Sequence, residues 1–325
     1  MNEAQKFYKE KDWDKCNDNE HPFTRYAFLK TLEDSGSAIK ETGWLPQHLV
    51  IEEKSGTILA VAPLYLKNHS YGEYVFDWGW ADAYHRAGGN YYPKLQCSVP
   101  FTPVTGPRLM TKSDLNDSQR KTLRSMLMSG MLDLTEKLGI SSIHITFPTT
   151  KEWIELGEGG FLQRTNQQFH WENKGFRDFD EFLQTLNSRK RKAIKKERKN
   201  VANMNFTIKV LSGSQIKDYH WDAFFDFYIL TTDKKFGQSY LEKQFFPMLG
   251  KRMGNQAVLI LVQDGDKFVA GALNLKDKDT LYGRNWGCVG THKFLHFETC
   301  YYQAIDFAIA NDLKYVEAGA QGMHK

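Results

Sequence analysis

Two stretches of the chain, 209 residues apart, share one pattern of hydrophobic and polar positions. Leu59–Lys67 aligns without gaps to Phe268–Lys276. Each stretch is preceded by another apolar run, His48–Glu52 in the first case and Ala257–Val262 in the second, and by a short turn that contains glycine. Turn residues between two apolar runs are typical of a β-hairpin. The pattern therefore predicts a hairpin at both places.

The order of elements after each hairpin is also the same. Both copies predict an aromatic-rich strand, then an apolar helix, then a short strand. These elements are Tyr71–Trp78, Leu123–Leu138 and Ser142–Thr146 in the first copy, and Leu281–Trp286, Phe297–Ala310 and Lys314–Ala318 in the second. Five elements repeated in one order favour a mixed α/β fold of two tandem, related domains, with two unrelated α/β halves as the alternative.

The repeat also predicts the domain limits. The offset between the copies falls from 209 to 173 after the helices, so the first copy carries 36 additional residues, placed near 84–107. A boundary near 172–178 gives a first domain of residues 1–173 and a second of residues 174–325. The first copy continues past its last strand through Lys151–Trp171, whereas the second ends seven residues after Ala318. The second domain is therefore expected to be truncated at its C-terminus.

Composition excludes several classes of protein. The chain has 325 residues, 14% aromatic residues, and a net charge of only +4, which is ordinary for a globular protein with a sizeable core. The four cysteines, at positions 16, 97, 288 and 300, contain no C-x-x-C pair, so neither a zinc site nor a disulfide framework is expected. No apolar run approaches the length of a membrane span, and the charged N-terminus lacks a secretory signal. A cytoplasmic protein without a transmembrane segment is the resulting prediction.

The most unusual stretch of the sequence is Ser188–Lys199, which holds eight basic residues and one acid. Upstream, an apolar stripe at helical spacing begins at Phe179, and Arg189 and Lys190 interrupt it before Ala193 resumes it. Arginine offers a planar fork and lysine a point charge to phosphates and carboxylates. The interruption predicts that Arg189 and Lys190 face a pocket for an anionic ligand. A solvated helix face is the alternative.

A second dense region runs from His69 to Lys94 and is rich in aromatic residues and glycine. If Tyr71–Trp78 is a strand, alternation places Tyr71, Glu73 and Asp77 on one side of it. Two carboxylates on that side and aromatic rings on the other suit the wall of a cleft. The alternative is an edge strand whose polar residues face water.

The third candidate region combines Arg284 and Trp286, on a predicted strand, with the helix that follows. Glu298 and Tyr302 stand at i and i+4, so one helix face presents both. Glu298 is a candidate proton acceptor, Tyr302 a candidate donor, and His296 a second acid–base candidate. The alternative is that Glu298 caps the first turn and Tyr302 is core. No H-E-x-x-H pattern is present, and no metal site is predicted.

Three common catalytic motifs are absent from the sequence. The chain has no phosphate loop of the type G-x-x-x-x-G-K-[ST], no G-x-S-x-G elbow and no G-x-G-x-x-G fingerprint. These absences reduce the case for nucleotide hydrolysis, serine hydrolysis and dinucleotide-dependent redox chemistry.

Several long motifs resemble one family. They are Glu41–His48, Ala62–Lys67, His69–Phe76, Tyr91–Gln96, Val99–Pro103, Ser188–Lys192, Leu295–Glu298, Tyr301–Ile305 and Val316–Gln321. Together they resemble the FemAB-like family of GNAT-fold proteins, linked to peptidoglycan biosynthesis or recognition, over essentially the whole chain after about residue 20. The resemblance implies tandem acyl-CoA N-acyltransferase (GNAT-like) domains. The family pattern continues beyond Lys325, which again indicates truncation.

The resemblance also bears on cofactors. Fem-group relatives move an aminoacyl unit from aminoacyl-tRNA to the amine of a cell-wall precursor, and other members of the wider superfamily use acyl-CoA. The Gly-rich pyrophosphate turn of typical CoA-dependent members is not evident here. No cofactor is therefore firmly implied, and acyl-CoA and aminoacyl-tRNA both stay open as donors.

The resulting hypothesis is an N-acyltransferase in which an amine attacks an activated ester or thioester held between the domains. Glu298 is assigned as the base, with His296 or Tyr302 as its proton partner. An anionic donor or acceptor, including tRNA, would be bound by Arg189, Lys190 and Arg191. The substrate would contact Tyr71, Glu73, Asp77 and Trp286, with Arg284. The acceptor would be a small-molecule or muropeptide amine. The alternative is a non-catalytic module that recognises a peptidoglycan precursor or RNA, and a weaker one is a structural role in an assembly.

Overall fold

The computed structural model describes residues 10–17, 20–235 and 239–319. The chain divides into two compact units, Met1–Asn166 and Gln167–Lys325. The last residues, Ala320–Lys325, contain the end of the motif that begins at Val316 and bear on the predicted truncation, and they lie outside the described residues.

The first unit contains five α-helices and seven strands in its described part. The helices are α1 (Glu10–Asp14), α2 (Tyr26–Asp34), α3 (Trp78–Arg86), α4 (Asp117–Leu138) and α5 (Thr150–Glu158). The strands are β1 (Trp44–Pro46), β2 (Leu49–Glu52), β3 (Ile58–Ala62), β4 (Leu64–Lys67), β5 (Lys94–Cys97), β6 (Met110–Thr111) and β7 (Ile143–Ile145).

The strands of the first unit form two sheets, in the orders β1-β4-β5-β7 and β2-β3-β6. The predicted hairpin strand Leu59–Lys67 is therefore split between them. The division falls at Pro63, which lacks the N–H group that a continuous strand would use in its ladder. The Pro63 carbonyl accepts a hydrogen bond from the N–H of Ser98 at 3.1 Å.

Helix α4 covers the apolar face of the first unit. Asn116 and Gln119 form a reciprocal capping box at its start, and Gly139 ends it in the left-handed conformation. Leu127 and Met131 are fully buried in the core that also contains strand residues from β3, β4 and β5. The predicted helix Leu123–Leu138 is thus confirmed, and it begins six residues earlier than expected.

The described part of the second unit has one large sheet. Its strands are β8 (His170–Glu172), β9 (Thr207–Ser212), β10 (Ala257–Asp264), β11 (Lys267–Lys276), β12 (Thr280–Cys288) and β13 (Tyr315–Glu317). Its helices are α6 (Phe179–Gln184), α7 (Ser188–Ala202), α8 (Asp218–Lys235), α9 (Phe245–Met253), α10 (Leu295–Phe297) and α11 (Gln303–Ala310), with a π-helical turn (Glu298–Tyr302) between the last two.

The sheet order is β8-β13-β12-β11-β10-β9, and only the pair β12–β13 is parallel. A parallel pair needs a crossover, and α10, the π-helical turn and α11 supply it. The crossover packs Ala304, Ala308 and other apolar residues onto the sheet together with α6. The first unit repeats this order, because β5 pairs parallel with β7 and α4 connects them. The predicted mixed α/β repeat is confirmed.

The predicted third strand of the first copy, Tyr71–Trp78, is wrong. Residues 71–77 form turns and bends, and α3 begins at Trp78. Gly72 and Tyr74 both have positive φ angles, which interrupt an extended conformation. The third strand is β5, which pairs with β4 on one side and β7 on the other. Most of the additional residues of this unit therefore lie before the third strand, in a segment of residues 68–93, where the second unit has only residues 277–279 between β11 and β12. The remainder lie after β5, before α4 begins.

The predicted strand-like end of the first copy also differs. The chain is irregular from Phe161 to Phe169, and a strand begins at His170. That strand, β8, pairs antiparallel with β13, and Trp171 stands opposite Val316. Part of the run that was expected to close the first copy therefore completes the edge of the second unit's sheet.

Candidate active site

The first unit buries a cluster of charges beneath the segment of residues 68–93. The Lys94 ammonium group donates to Ser70 Oγ at 2.9 Å, Glu73 Oε2 at 2.8 Å and Asp77 Oδ2 at 2.6 Å. Lys94 is fully buried, and both carboxylate side chains are almost so. The cost of burying the lysine charge is offset because both carboxylates lie within hydrogen-bonding distance of it.

The strand register explains why these charges lie under the surface. Lys67 stands opposite Lys94, and Tyr65 stands opposite Gln96, so one face of the sheet β1-β4-β5-β7 carries polar side chains. The alternate residues Leu66 and Leu95 belong to the apolar core under α4. One face of this sheet is therefore apolar and the other is polar, and both are buried.

Burial and pairing shift the pKa values in this cluster. Burial lowers the pKa of Lys67 to about 7, against the attraction of Glu73. Burial also raises the pKa of Glu73, although Lys94 opposes this. For Asp77 the effect of burial is outweighed by hydrogen bonding and attraction from Lys94, so its pKa falls. Asp77 also accepts from the Tyr91 hydroxyl at 2.7 Å.

Tyr71 does not share a face with Glu73 and Asp77, contrary to the strand-based prediction. Its side chain is 55% exposed, whereas those two carboxylates are buried. Its ring meets the ring of Trp78 with centroids 5.0 Å apart, and its backbone carbonyl accepts from Lys67 at 3.2 Å. The turn at residues 71–77 separates side chains that an extended strand would have aligned.

In the second unit, the interrupted apolar stripe marks a helix boundary. Helix α6 ends at Gln184, and α7 begins after Asn187, whose side chain accepts from the Lys190 N–H. Arg189 and Lys190 are exposed on the first turn of α7, and Arg191 is half-buried. The expectation that the interruption reflects a pocket rested on one continuous helix, which the structure does not contain.

Arg198, further along α7, contacts the crossover. Its guanidinium donates to Glu298 Oε1 at 3.1 Å and to Asp306 Oδ2 at 2.7 Å. The same group lies 4.4 Å from the ring centre of Phe179. The basic helix is therefore tied to the predicted site residue Glu298 through a residue that was not singled out in the sequence.

Glu298 and Tyr302 lie in the same π-helical turn and both are buried. Glu298 Oε1 also accepts from Gln303 at 2.8 Å, and no described group bonds its buried Oε2. The Tyr302 hydroxyl donates to Glu197 of α7, and burial together with this bond raises the pKa of Tyr302. π-helical turns occur frequently at functional sites. The structure thus brings these two predicted residues together, within the contact between α7 and the crossover.

His296 and Trp286 form a second pair. His296 lies on α10, and its ring centre is 5.3 Å from that of Trp286 on β12. Both side chains are half-buried. Two residues predicted from different elements are therefore neighbours at the start of the crossover.

Strand β12 parts from β13 close to this point. The two strands pair only from Thr280 to Tyr282, and β12 then continues to Cys288 with no partner on that side among the described residues. The ladder with β11 shifts register at Leu273/Asn274, which leaves Arg284 as the additional residue of a bulge. Within the described ranges, the β12 backbone beyond Tyr282 has no strand partner on the β13 side, and unpaired strand edges of this kind can bind extended ligands.

Two glycines permit this geometry. A Cβ at Gly287 would lie 2.1 Å from the carbonyl oxygen of Phe227 on α8, so only glycine lets α8 approach so closely. A Cβ at Gly283 would lie 3.1 Å from the carbonyl oxygen of Glu317. Glycine therefore allows β12 to run against a helix on one side and against the end of β13 on the other.

Glu317, the last residue of β13, is a site candidate that the sequence analysis missed. Its Oε1 lies 3.8 Å from His170 Nε2, and its side chain is 13% exposed. Burial raises its pKa to about 7, with Asp277 adding to the effect and Arg284 opposing it. The sequence signal that could have indicated this candidate is its position in the motif Val316–Gln321, where the carboxylate directly follows the buried strand residue Val316.

Comparison with known proteins identifies the class. The model of the FemAB-like family, described as peptidoglycan biosynthesis/recognition, matches residues 5–325. The chain therefore belongs to the FemAB-like family. No curated protein sequence matches it significantly.

Solved structures show the same architecture. FemX is 12% identical, covers 97% of this chain and 88% of its own, and has a TM-score of 0.55. L-PGS from Bacillus licheniformis is 7% identical, with 96% and 77% covered and a TM-score of 0.54. A C-terminal domain assigned to lysylphosphatidylglycerol synthetase from Agrobacterium fabrum is 9% identical, with 90% and 78% covered and a TM-score of 0.53. At these identities the likeness concerns the fold, which is a tandem pair of GNAT-like domains.

Two kinds of feature are absent from the described ranges. No helix there combines the length and apolar character needed to cross a membrane. Within the same ranges, no group of three or more His, Cys, Asp or Glu side chains is arranged to hold a metal ion.

Proposed function

We propose that this protein is an N-acyltransferase that moves an aminoacyl or other acyl group from an activated ester or thioester to an amine. Membership of the FemAB-like family supports this class of reaction. The acceptor would be the amine of a cell-wall precursor, as the family description suggests, or a lipid headgroup, as the name of the Agrobacterium fabrum relative suggests.

The observation that carries the proposal is the divergence of β12 from β13 in the second unit. Residues Gly283–Cys288 offer strand backbone groups on the side that β13 leaves. A donor lying along this edge can form strand-like hydrogen bonds, which hold its carbonyl in one orientation. Backbone N–H groups fixed in this way can also stabilise the oxyanion of a tetrahedral intermediate.

The side chains near this edge supply the remaining chemistry. His296 and Trp286 lie at the start of the crossover, and Arg284 lies in the bulge. We assign Arg284 and Trp286 to substrate binding, and His296 to proton transfer. Glu298 and Tyr302, in the π-helical turn, are proposed as further members of the acid–base system, with Arg198 holding Glu298 in place.

Recognition of an anionic substrate is assigned to α7. Arg189, Lys190 and Arg191 stand on its first turn, where the first two are exposed. Both donors left open by the sequence, aminoacyl-tRNA and acyl-CoA, carry phosphates that such side chains bind. Both donors are made in the cytoplasm, which is where we propose that the protein acts. In the first unit, Tyr71, Glu73 and Asp77 stay candidates for the acceptor.

The test is a transfer assay with the two donors and several acceptors. Purified protein is incubated with aminoacyl-tRNA or acyl-CoA and with muropeptides or aminated lipids, and products are detected by mass spectrometry. A thermal-shift series with the same ligands reports binding independently, because a ligand that binds the folded state raises Tm. Product with one donor–acceptor pair would support the proposal. Absence of both product and thermal shift with every pair would overturn it.

The second candidate function is a binding module without turnover. The exposed basic residues of α7 favour it, because a row of cations suits a polyanion regardless of any reaction. Affinity for RNA through α7 should fall steeply as salt increases, whereas binding through aromatic rings should not. Strong salt-dependent binding without product in the transfer assay would favour this alternative.

A further inference from the structure

Glu317 stands at the point where the parallel strands part. Its Cα is opposite that of Tyr282, the last residue of β12 to pair with β13. Its backbone carbonyl lies beside Gly283, and the bulge residue Arg284 follows. Glu317 is therefore adjacent to the strand edge at which the donor carbonyl is proposed to bind.

The charged and titratable groups facing Glu317 come from three places in the sheet. His170 on β8 lies 3.8 Å away, Arg284 and Tyr282 lie on β12, and Asp277 follows β11. The Tyr282 hydroxyl donates to Asp277 Oδ2 at 2.7 Å, so it is engaged with that carboxylate. Burial lowers the pKa of His170, which favours its neutral form.

This environment contrasts with that of Glu298. Arg198 and Gln303 both donate to Glu298 Oε1, so that oxygen is engaged in the contact between α7 and the crossover. Glu317 is partly exposed and lies beside the strand divergence. With a pKa of about 7, raised by burial and Asp277, it is half-ionised at neutral pH and so takes up and releases protons readily.

We propose that Glu317 is the general base of the acyl transfer, taking a proton from the attacking ammonium group. This inference rests on the proposed function. The neutral amine then forms a C–N bond to the carbonyl carbon, and the tetrahedral intermediate breaks its C–O or C–S bond to the leaving group. Of the two protons that the nitrogen loses, one ends on the leaving oxygen or sulfur. The other ends on Glu317, which returns it to water.

The experiment compares Glu317→Gln with the wild type and with Glu172→Gln, using the donor and acceptor found in the transfer assay. Glu172 is an exposed carboxylate on the neighbouring strand β8 and serves as the matched control. We expect the kcat of Glu317→Gln to fall by about 10²-fold or more, which is the usual contribution of a general base. Glu172→Gln should keep the wild-type rate.

The pH profile separates a chemical role from a structural one. The wild-type rate should rise with pH through about 7 as the Glu317 carboxyl ionises, and Glu317→Gln should lack this limb. Asp277→Asn should move the limb to lower pH and Arg284→Gln should move it to higher pH, because these residues raise and lower the pKa of Glu317 respectively.

The outcomes distinguish the two proposals. If the wild type transfers the acyl group and Glu317→Gln keeps its rate and its pH limb, Glu317 is not the base and the transferase assignment stands. If the wild type transfers nothing and no ligand shifts its Tm, both proposals are overturned. A large loss of rate with an unchanged pH limb would also overturn the general-base role.

Discussion

The two units treat buried carboxylates in opposite ways. In the first, Glu73 and Asp77 are held by Lys94 at 2.8 and 2.6 Å on a fully buried sheet face. In the second, Glu317 ends a strand at a partly exposed position, where His170 is 3.8 Å away and burial raises its pKa to about 7.

The difference separates structural charges from reactive ones. The Lys94 ammonium group lowers the pKa of Asp77 and opposes the rise that burial causes at Glu73, and the value of both carboxylates lies in what they hold together. Here that is the segment of residues 68–93, whose helix α3 buries none of its own residues. A carboxylate without such a partner changes protonation near neutral pH, which is a property of acid–base catalysts.

The largest effect is expected from removing the cation of the first unit. Lys94→Met leaves two carboxylates buried without their counter-charge, which should cost about 3–5 kcal/mol in the free energy of unfolding. Denaturant unfolding followed by fluorescence measures it. Lys54→Met, at an exposed lysine in the turn before β3, is the control and should change little. A loss of unfolding free energy no larger than that of the control would show that the cluster does not hold the segment of residues 68–93 in place.

The charge of Glu317, in contrast, is expected to lower the free energy of unfolding. Because its folded pKa of about 7 lies above the usual 4.5, the unfolded chain releases this proton first as pH rises. Stability is therefore present below about pH 4.5 and is lost progressively up to about pH 7, by about 3 kcal/mol.

Glu317→Gln should remove that loss. The variant should be more stable than the wild type at pH 8 and should lose this advantage at pH 5, as measured by unfolding at both values. Equal stability differences at the two pH values would contradict the shifted pKa and weaken the contrast between the units.

A smaller effect is expected at the contact between α7 and the crossover. Arg198→Gln removes charge-assisted hydrogen bonds to Glu298 and Asp306 and should cost about 2 kcal/mol in unfolding free energy. The control on the same helix is Lys195→Gln, whose pair with Asp180 is exposed and should contribute less than about 0.5 kcal/mol. Equal losses in the two variants would show that the burial of Arg198 adds nothing.

The smallest effect on stability is expected on the first turn of α7. The triple variant R189Q/K190Q/R191Q should unfold within about 0.5 kcal/mol of the wild type, because two of these side chains are exposed. Its affinity for RNA or for a phosphate-containing donor should fall, and its dependence on salt should become shallower. Unchanged affinity and salt dependence would remove these residues from the binding surface.

The elements that sequence patterns predicted correctly are those with local causes. The hairpins, the helix at Leu123–Leu138 and the crossover follow from apolar periodicity and turn residues. Tyr71–Trp78 was misread because aromatic residues favour strands. Two positive φ angles and a pairing with Lys94, distant in the chain, override that preference. The role of Glu317 depends on burial and on where two strands part, neither of which is local.

The separate start of α7 has a consequence for the charge on its first turn. The aligned peptide dipoles give that end of the helix a positive potential, and Arg189, Lys190 and Arg191 add to it, with no acidic residue in that turn. Cations there oppose the helix dipole, an effect that salt screens, so exchanging Arg189 for glutamate should make the helix more stable. The sequence therefore keeps at this position the charge that folding disfavours, and any anion that meets it encounters the helix dipole and the side-chain charges acting in the same direction.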